Sequence, residues 1–178
     1  MGKKYLIVID MQNDFVSGSL GSEEAQKIAP KVIAKATNFV GTVIFTQDTH
    51  QSNYLSTQEG KLLPIEHCIE GSDGWQLIDG LKEFQKSRNC KSYKKDRFGS
   101  TQLAEDLRLE YQQGNISSIE LIGVCTDICV VSNALLLKAY IPELPLSIDA
   151  DCCAGVTPLK HQAAIETMKS CQIDVKNG

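Results

Sequence analysis

The apolar positions along this 178-residue chain follow two alternating patterns. Short continuous runs rich in Ile and Val predict buried strands, and apolar residues at helical spacing predict amphipathic helices. The first pattern predicts strands over residues 4–9, 42–46, 89–93, 118–124 and 144–150, with a short last strand over 172–175. The second pattern predicts helices over residues 23–40, 74–86, 101–111, 126–140 and 158–170.

Two segments interrupt this regular alternation. Pro30 lies inside the first helical pattern, so we expect that helix to begin nearer Pro30, after an irregular turn. Residues 48–73 show no sustained period and predict a long loop. Loops of this length in compact domains are usually functional or disordered, so this one is a candidate for a site.

The order of the elements predicts the fold class. Strands that alternate with helices indicate an α/β protein, here a single domain over residues 1–178. We expect a three-layer α/β/α sandwich around a mostly parallel, Rossmann-like sheet. Sites in such folds form just beyond the carboxyl ends of the strands.

A possible nucleophile follows the apolar run at residues 119–122. If Thr126 is the N-cap of the next helix, Cys129 falls at the third helical position. Free backbone N–H groups and the helix dipole in a first turn favour negative charge, so we expect a lowered thiol pKa for Cys129. Cys125 is expected to pack as a small apolar residue at the strand end.

Asp10 and Lys95 lie near the ends of two other predicted strands. Asp10 could take a proton from a thiol, but an Asp at this position could equally cap the following turn. Lys95 alone would indicate a solvated basic turn, and only its expected proximity to Asp10 and Cys129 favours a catalytic role.

The long loop carries potential metal ligands. Asp48 and His50 are two residues apart, and Glu59 and His67 follow in the same segment. Imidazole together with carboxylate suits zinc, iron or manganese. The alternative interpretation is that these are ordinary polar residues of a surface loop.

Composition excludes several classes of function. The net charge of −4 and the lack of a basic stripe argue against nucleic acid as a partner. We expect no membrane partner, since no apolar run is long enough to span a bilayer.

The start of the chain and its cysteines predict the cellular compartment. The first strand begins almost at once and leaves no room for a signal peptide, and the seven cysteines are an odd number, so we expect reduced thiols and a cytoplasmic protein. We expect neither a Rossmann nucleotide site nor a thioredoxin-type redox site, because the sequence contains neither Gly-x-Gly-x-x-Gly nor Cys-x-x-Cys.

Five motifs together resemble the isochorismatase-like cysteine hydrolase superfamily, and its nicotinamidase branch most closely. They are Asp-Met-Gln-Asn-Asp-Phe at 10–15, Asp-x-His at 48–50, Pro-x-x-His-Cys at 64–68, Lys-x-x-Phe at 95–98 and Gly-Val-x-Thr-Asp-x-Cys-Val at 123–130. The resemblance implies hydrolysis of nicotinamide to nicotinate and ammonia through a thioester, within NAD salvage. Because relatives are often dimers or tetramers, it also implies a homo-oligomer.

The resemblance assigns roles by position. It implies a catalytic triad, an oxyanion hole made by two backbone N–H groups beside a cis peptide bond at Val124–Cys125, a divalent transition metal (zinc first, iron or manganese otherwise), and an aromatic pocket. The residues are Asp10, Lys95 and Cys129 for the triad, Cys125 and Cys129 for the oxyanion hole, Asp48, His50, Glu59 and His67 for the metal, with Glu66 as a rival for Glu59, and Phe15, Pro64 and Phe98 for the pocket.

Two pocket positions depart from the nicotinamidase pattern, which keeps other hypotheses open. Nicotinamidases commonly have aromatic residues where this chain has Pro64 and Asp96. The first alternative is therefore an amidase acting on another small amide or on a carbamoyl or ureido compound. The others are a non-catalytic binding module and a redox sensor that uses Cys125 and Cys129.

Overall fold

A computed structural model gives the architecture of residues 2–178. Within these residues, six strands form one parallel sheet in the order β3-β2-β1-β4-β5-β6. The strands are β1 (Lys3–Ile9), β2 (Thr42–Asp48), β3 (Ser92–Lys95), β4 (Ile116–Val124), β5 (Leu146–Ala154) and β6 (Asp174–Lys176). The predicted α/β fold with a parallel sheet is confirmed.

The helices lie on both faces of the sheet. They are α1 (Asn13–Val16), α2 (Glu23–Asn38), α3 (Gln58–Leu62), α4 (Asp79–Arg88), α5 (Thr101–Gln112), α6 (Val131–Tyr140) and α7 (Pro158–Ser170). Alternate residues of a strand point to opposite faces. Leu6 and Val8 of β1 accordingly pack with α2 and α4, and Ile7 and Ile9 pack with α5, α6 and α7. Burial on both faces explains why the strands read as continuous apolar runs.

Helix α2 begins earlier than expected. The prediction that it starts near Pro30 is wrong, because the helix runs from Glu23 through Pro30 to Asn38. Ser22 caps its first turn by accepting a hydrogen bond from the backbone N–H of Ala25 at 3.1 Å. Pro30 has no N–H to donate to the Gln26 carbonyl, and both residues lie on the exposed side of the helix.

The limits of three other elements differ from the predicted ones, mainly because backbone pairing with distant segments overrides the local pattern of apolar residues. The prediction of helix from residue 74 is wrong: Gly74 and Gln76 instead accept hydrogen bonds from the backbone of residues 13–14, and α4 begins at Asp79. Strand β3 begins late, since Asn89 takes a left-handed conformation at the end of α4. Strand β5 continues to Ala154, because its end pairs with the end of β4.

The segment between β2 and α4 is largely the predicted loop. It contains a 3₁₀ turn at Tyr54–Ser56 and the five-residue helix α3. Among the helices of residues 2–178, none is long and apolar enough to cross a membrane.

Candidate active site

Four functional candidates meet at the carboxyl edge of the sheet. Asp10 directly follows β1, Asp48 ends β2, Lys95 ends β3, and Cys129 lies in a turn after β4. Parallel strands bring their carboxyl ends to one edge, and the register pairs Asp48 with Lys95 directly. All four are buried, with exposed fractions between 0% and 5%. The structure therefore brings together residues that are up to 119 positions apart.

Lys95 is at the centre of this group. Its Nζ lies 2.6 Å from Asp10 Oδ2, 3.0 Å from Asp48 Oδ1 and 3.3 Å from Cys129 Sγ. One ammonium thus contacts two carboxylates and the thiol, which matches the expected proximity of the triad.

The surroundings shift the pKa values of the charged pair. Burial lowers the pKa of Lys95, but the negative charges of Asp10 and Asp48 help to outweigh that effect and leave the pKa well above its usual value. Burial raises the pKa of Asp10, which the charge of Lys95 only partly offsets. Asp10 is therefore a stronger proton acceptor than an exposed carboxylate, while Lys95 stays charged.

The expectation of a lowered pKa for Cys129 is wrong in the resting protein. Burial raises the pKa of the Cys129 thiol well above its usual value, and the charge of Asp10 raises it further. Lys95 acts in the opposite direction, without reversing the shift. The thiol is therefore protonated at rest, and it needs a neighbouring base before it can attack.

The turn that carries Cys129 also differs from the prediction. Residues Thr126–Val130 form one π-helical turn ahead of α6, and Thr126 does not cap it. We call this segment the nucleophile turn. The Thr126 hydroxyl is instead paired with the ring of His161, 2.8 Å away. The peptide bond between Val124 and Cys125 is cis, as the resemblance implied.

The expected metal ligands form a second cluster beside the triad. One donor atom from each of Asp48, His50, Glu59 and His67 lies within 4.8 Å of all the others. Asp48 Oδ2 is 3.1 Å from His50 Nε2 and 3.6 Å from His67 Nε2. Glu59 Oε1 is 3.8 Å from the first imidazole and 3.9 Å from the second.

These donors suit a divalent transition metal. Nitrogen and oxygen ligands about 2.1 Å from a zinc ion are about 3.4 Å apart when tetrahedral, close to the observed separations. Asp10 and Asp48 both contact the ammonium of Lys95, and Glu59 adds a third carboxylate beside Asp48, which leaves negative charge for a cation to balance. Glu66 is exposed and stands outside the cluster, so the geometry favours Glu59 as the fourth donor.

The three pocket candidates lie in different environments. The Phe15 ring is 5.6 Å from the ring of His67, so it adjoins the metal cluster. Phe98 is 47% exposed and Pro64 is also exposed, so their roles as pocket walls stay predictions. Tyr54, which the sequence did not single out, is fully buried and packs against both histidine rings at 4.7 and 4.9 Å.

Several supporting residues were also missed at the level of sequence. The buried Gln12 side chain accepts a hydrogen bond from the Asp48 N–H at 2.7 Å and donates to the Asp48 carbonyl at 2.8 Å. Thr46 donates to Asp10 Oδ1 at 2.7 Å, and Asp14 accepts from the Cys68 N–H at 2.7 Å. The available signals were that Thr46 shares a strand face with Asp48, and that Gln12 and Asp14 belong to the first motif.

Comparison with known proteins identifies the family of the chain. A family model described as the Isochorismatase domain matches residues 4–176. The nicotinamidase of Acinetobacter baylyi is 30% identical over 161 residues, which cover 73% of this chain and 72% of that protein.

Solved structures of two similar proteins have the same fold. The crystal structure of nicotinamidase/pyrazinamidase PncA from Bacillus subtilis superposes with a TM-score of 0.85 at 29% identity, covering 98% of this chain and 100% of that one. The pyrazinamidase of Pyrococcus horikoshii in complex with zinc gives a TM-score of 0.80 at 27% identity, covering 97% of each chain. The chain therefore belongs to the isochorismatase family, on its nicotinamidase branch.

Proposed function

We propose that this amidohydrolase is a cysteine-dependent nicotinamidase, which converts nicotinamide and water to nicotinate and ammonia. The observation that carries the proposal is the position of Lys95 Nζ, within 3.3 Å of Asp10, Asp48 and Cys129 at once and beside the metal cluster. The printed names of the relatives support the substrate. The preserved triad also argues against a purely non-catalytic module.

The first step is transfer of the thiol proton. Asp10 accepts the proton of Cys129, and the resulting thiolate then attacks the amide carbonyl carbon. Lys95 then pairs with the new thiolate instead of the Asp10 carboxylate. The net charge of the buried group is unchanged by this transfer, so the low-dielectric surroundings oppose it little.

The carbon–nitrogen bond breaks in the second step. Attack produces a tetrahedral intermediate whose oxyanion accepts hydrogen bonds from the backbone N–H groups of Cys125 and Cys129, each contributing about 3 kcal/mol in comparable sites. Asp10 returns its proton to the leaving nitrogen, which departs as ammonia. Asp10 then deprotonates a water molecule, which attacks the thioester carbonyl carbon. The carbon–sulfur bond breaks, Asp10 returns the proton to the Cys129 sulfur, and the acid product leaves and loses its proton to solvent as nicotinate.

Asp48, His50, Glu59 and His67 would hold the metal, for which we propose zinc. When bound, the ion supplies a Lewis acid that can orient the ring nitrogen of the substrate, directly or through bound water. Phe15 lies beside this cluster and forms one apolar wall for the ring.

The first experiment measures ammonia release from nicotinamide by zinc-loaded protein. We expect release by the unaltered protein and none by Cys129→Ala. Cys171→Ala is the matched control, because that cysteine is also free but lies at the far end of α7. Loss of activity in both variants, or in neither, would contradict the assignment of the nucleophile.

A second candidate is an amidase acting on another small amide. The observation that favours it is that Pro64 is exposed and Asp96 follows Lys95 where nicotinamidases have aromatic side chains. A panel containing nicotinamide, pyrazinamide and small carbamoyl and ureido compounds would separate the two. If ammonia is released only from the carbamoyl or ureido compounds, and the release depends on Cys129, the substrate is one of these compounds and not nicotinamide.

We also propose that the protein acts in the cytoplasm, within NAD salvage, as a homo-oligomer with no nucleic-acid or membrane partner. All seven cysteines are free thiols, which is consistent with a reducing compartment. The exposed apolar side chains of Leu62 and Leu159, each 80% exposed, are consistent with a subunit contact. Light scattering of the purified protein would measure the oligomeric state.

A further inference from the structure

His161 is the one histidine of the chain that has no part in the metal cluster. It lies on α7, and its ring Nδ1 is 2.8 Å from the hydroxyl Oγ1 of Thr126. Thr126 is fully buried and is the first residue of the nucleophile turn. A side chain from a distant helix is therefore paired with the start of the segment that carries Cys129.

A second contact ties the same turn to the segment between β5 and α7. Asp127 Oδ1 accepts a hydrogen bond from the backbone N–H of Val156 at 2.9 Å. Gly155 makes this approach possible, because a Cβ there would lie 2.8 Å from both Asp127 Oδ1 and the backbone nitrogen of His161. The first two residues of the turn are thus held by α7 itself and by the segment that leads into it.

This support matters because the turn has no side-chain cap of its own. Its backbone hydrogen bonds include those of the Ile128 and Val130 N–H groups to the Cys125 carbonyl, at 3.1 and 3.0 Å. The Val131 N–H also donates to the carbonyls of Thr126 and Ile128. The Cys129 sulfur must stay 3.3 Å from Lys95 for the thiolate to be stabilised. A small rotation of the turn would change that distance.

We propose that His161 is a positioning residue for the nucleophile. Its neutral ring accepts the hydrogen bond of the Thr126 hydroxyl, and this bond keeps the nucleophile turn in place with Cys129 beside Lys95. The kinetic part of this inference rests on the proposed hydrolase function, while the effect on the thiol itself does not.

The pairing depends on the protonation state of the ring. Burial lowers the pKa of His161, and the charge of Asp127, which faces it from the nucleophile turn, opposes that shift. At neutral pH the ring is therefore uncharged, and Nδ1 can accept. Below the pKa of His161, Nδ1 becomes a donor, and the buried Thr126 hydroxyl loses the acceptor for its own hydrogen. Activity supported by this bond is present above the pKa of His161 and is lost as pH falls through it.

The test compares two substitutions of His161. His161→Leu removes the acceptor, and His161→Asn places an amide oxygen near the position of Nδ1. We expect His161→Leu to lower kcat about tenfold with KM and zinc content unchanged, as for a misplaced reacting group. We expect His161→Asn to keep kcat within about twofold and to retain activity at lower pH than the unaltered protein. Gln162→Asn, at the next and exposed position of α7, is the control.

A second measurement needs no substrate. The rate of alkylation of Cys129 by iodoacetamide, followed by mass spectrometry of its peptide, reports the reactivity of the thiol directly. We expect about a tenfold slower reaction in His161→Leu and little change in His161→Asn. If the unaltered protein releases no ammonia from any amide but this difference remains, the proposed hydrolase function fails and the positioning role stands.

Thr126→Val provides a route to the same answer if His161→Leu does not fold. It removes the partner hydroxyl with little change of shape, and we expect the same loss of kcat and of alkylation rate. The double variant should lose no more than either single one, because both remove the same bond. An alkylation rate in His161→Leu and Thr126→Val equal to or above that of the unaltered protein, or equal impairment of His161→Leu and His161→Asn, would overturn the proposal.

Discussion

At the scale of single residues, the ammonium of Lys95 separates two buried carboxylates. The charge of Asp48 already raises the pKa of Asp10, so removal of the ammonium would leave two like charges facing each other. Breaking a buried ion pair in this way costs about 3–5 kcal/mol. We therefore expect Lys95→Met to lower the free energy of unfolding by that amount, measured by urea denaturation at pH 7, and to abolish activity.

The neighbouring Lys94 supplies a matched control for this prediction. It lies on the same strand, but its ion pair with Glu70 is at the surface. Surface pairs are screened by solvent and contribute little. Lys94→Met should therefore change the free energy of unfolding much less than Lys95→Met. Equal changes would mean that repulsion between the buried carboxylates of Asp10 and Asp48 does not destabilise the Lys95 variant.

At the same scale, the sequence indicated which residues meet but not their electrostatic state. The positions of Asp10, Lys95 and Cys129 at or after strand ends predicted that they lie close together, and the structure places them so. The pKa of Cys129 was predicted in the wrong direction, because the dipole of a first turn acts weakly against full burial and the charge of Asp10. Burial depends on the whole fold, so local spacing cannot give it.

At the scale of secondary structure elements, helix α2 contains a proline in its interior, Pro30, which is its eighth residue. Proline in a helix interior costs about 3 kcal/mol relative to alanine, because it removes a hydrogen bond and crowds the preceding turn. We expect Pro30→Ala to raise the free energy of unfolding by about 1–3 kcal/mol, measured by urea denaturation. Gln26→Ala, also on the exposed face of α2, is the control.

An unchanged or lower stability of Pro30→Ala would contradict this expectation. It would indicate that the proline stabilises the fold by restricting the unfolded chain more than it weakens the helix.

Element boundaries show where local pattern stops being informative. Helix α7 was predicted with its observed limits, because Pro158 and the Thr157 cap mark its start in the sequence itself. The start of α4 was missed, since residues 74–78 pair with the segment after β1, 60 or more positions away. Apolar periodicity reports burial, and it does not report which distant backbone a segment will pair with.

At the scale of the whole molecule, the metal cluster links the long loop to the sheet. Asp48 belongs to β2, whereas Glu59 and His67 come from the loop that follows it. A ligand that binds only the folded state stabilises it, by about 2.7 kcal/mol at a hundred times its Kd. For a chain of this length we expect zinc at that ratio to raise Tm by about 5–10 °C.

The measurement is a thermal scan of chelator-treated protein with and without added zinc. His67→Asn should lose most of the shift, because it removes one of the two imidazoles. Glu66→Gln, at the adjacent exposed position, should keep it. A shift of equal size in both variants would place zinc elsewhere on the protein.

Fold and site could be predicted to different extents. Fold class and the edge that carries the site followed from the alternation of elements and from the five motifs. The pairing of Thr126 with His161 could not be predicted, because it joins two elements whose distance depends on the packing of α7 against the nucleophile turn.

The pairing of β1 with β4 has a consequence for synthesis of the protein. Ile7 lies beside Leu121 in the sheet, and this pairing sets the distance between Asp10 and Cys129. The ribosome completes β1 early, but β4 is made only after the first 115 of the 178 residues have been translated. A chain that ends before β4 therefore contains Asp10 and all four proposed metal ligands but lacks Cys129, so under the proposed mechanism it has no nucleophile. One edge of β1, a central strand of the sheet, is also left unpaired in such a chain, which favours aggregation.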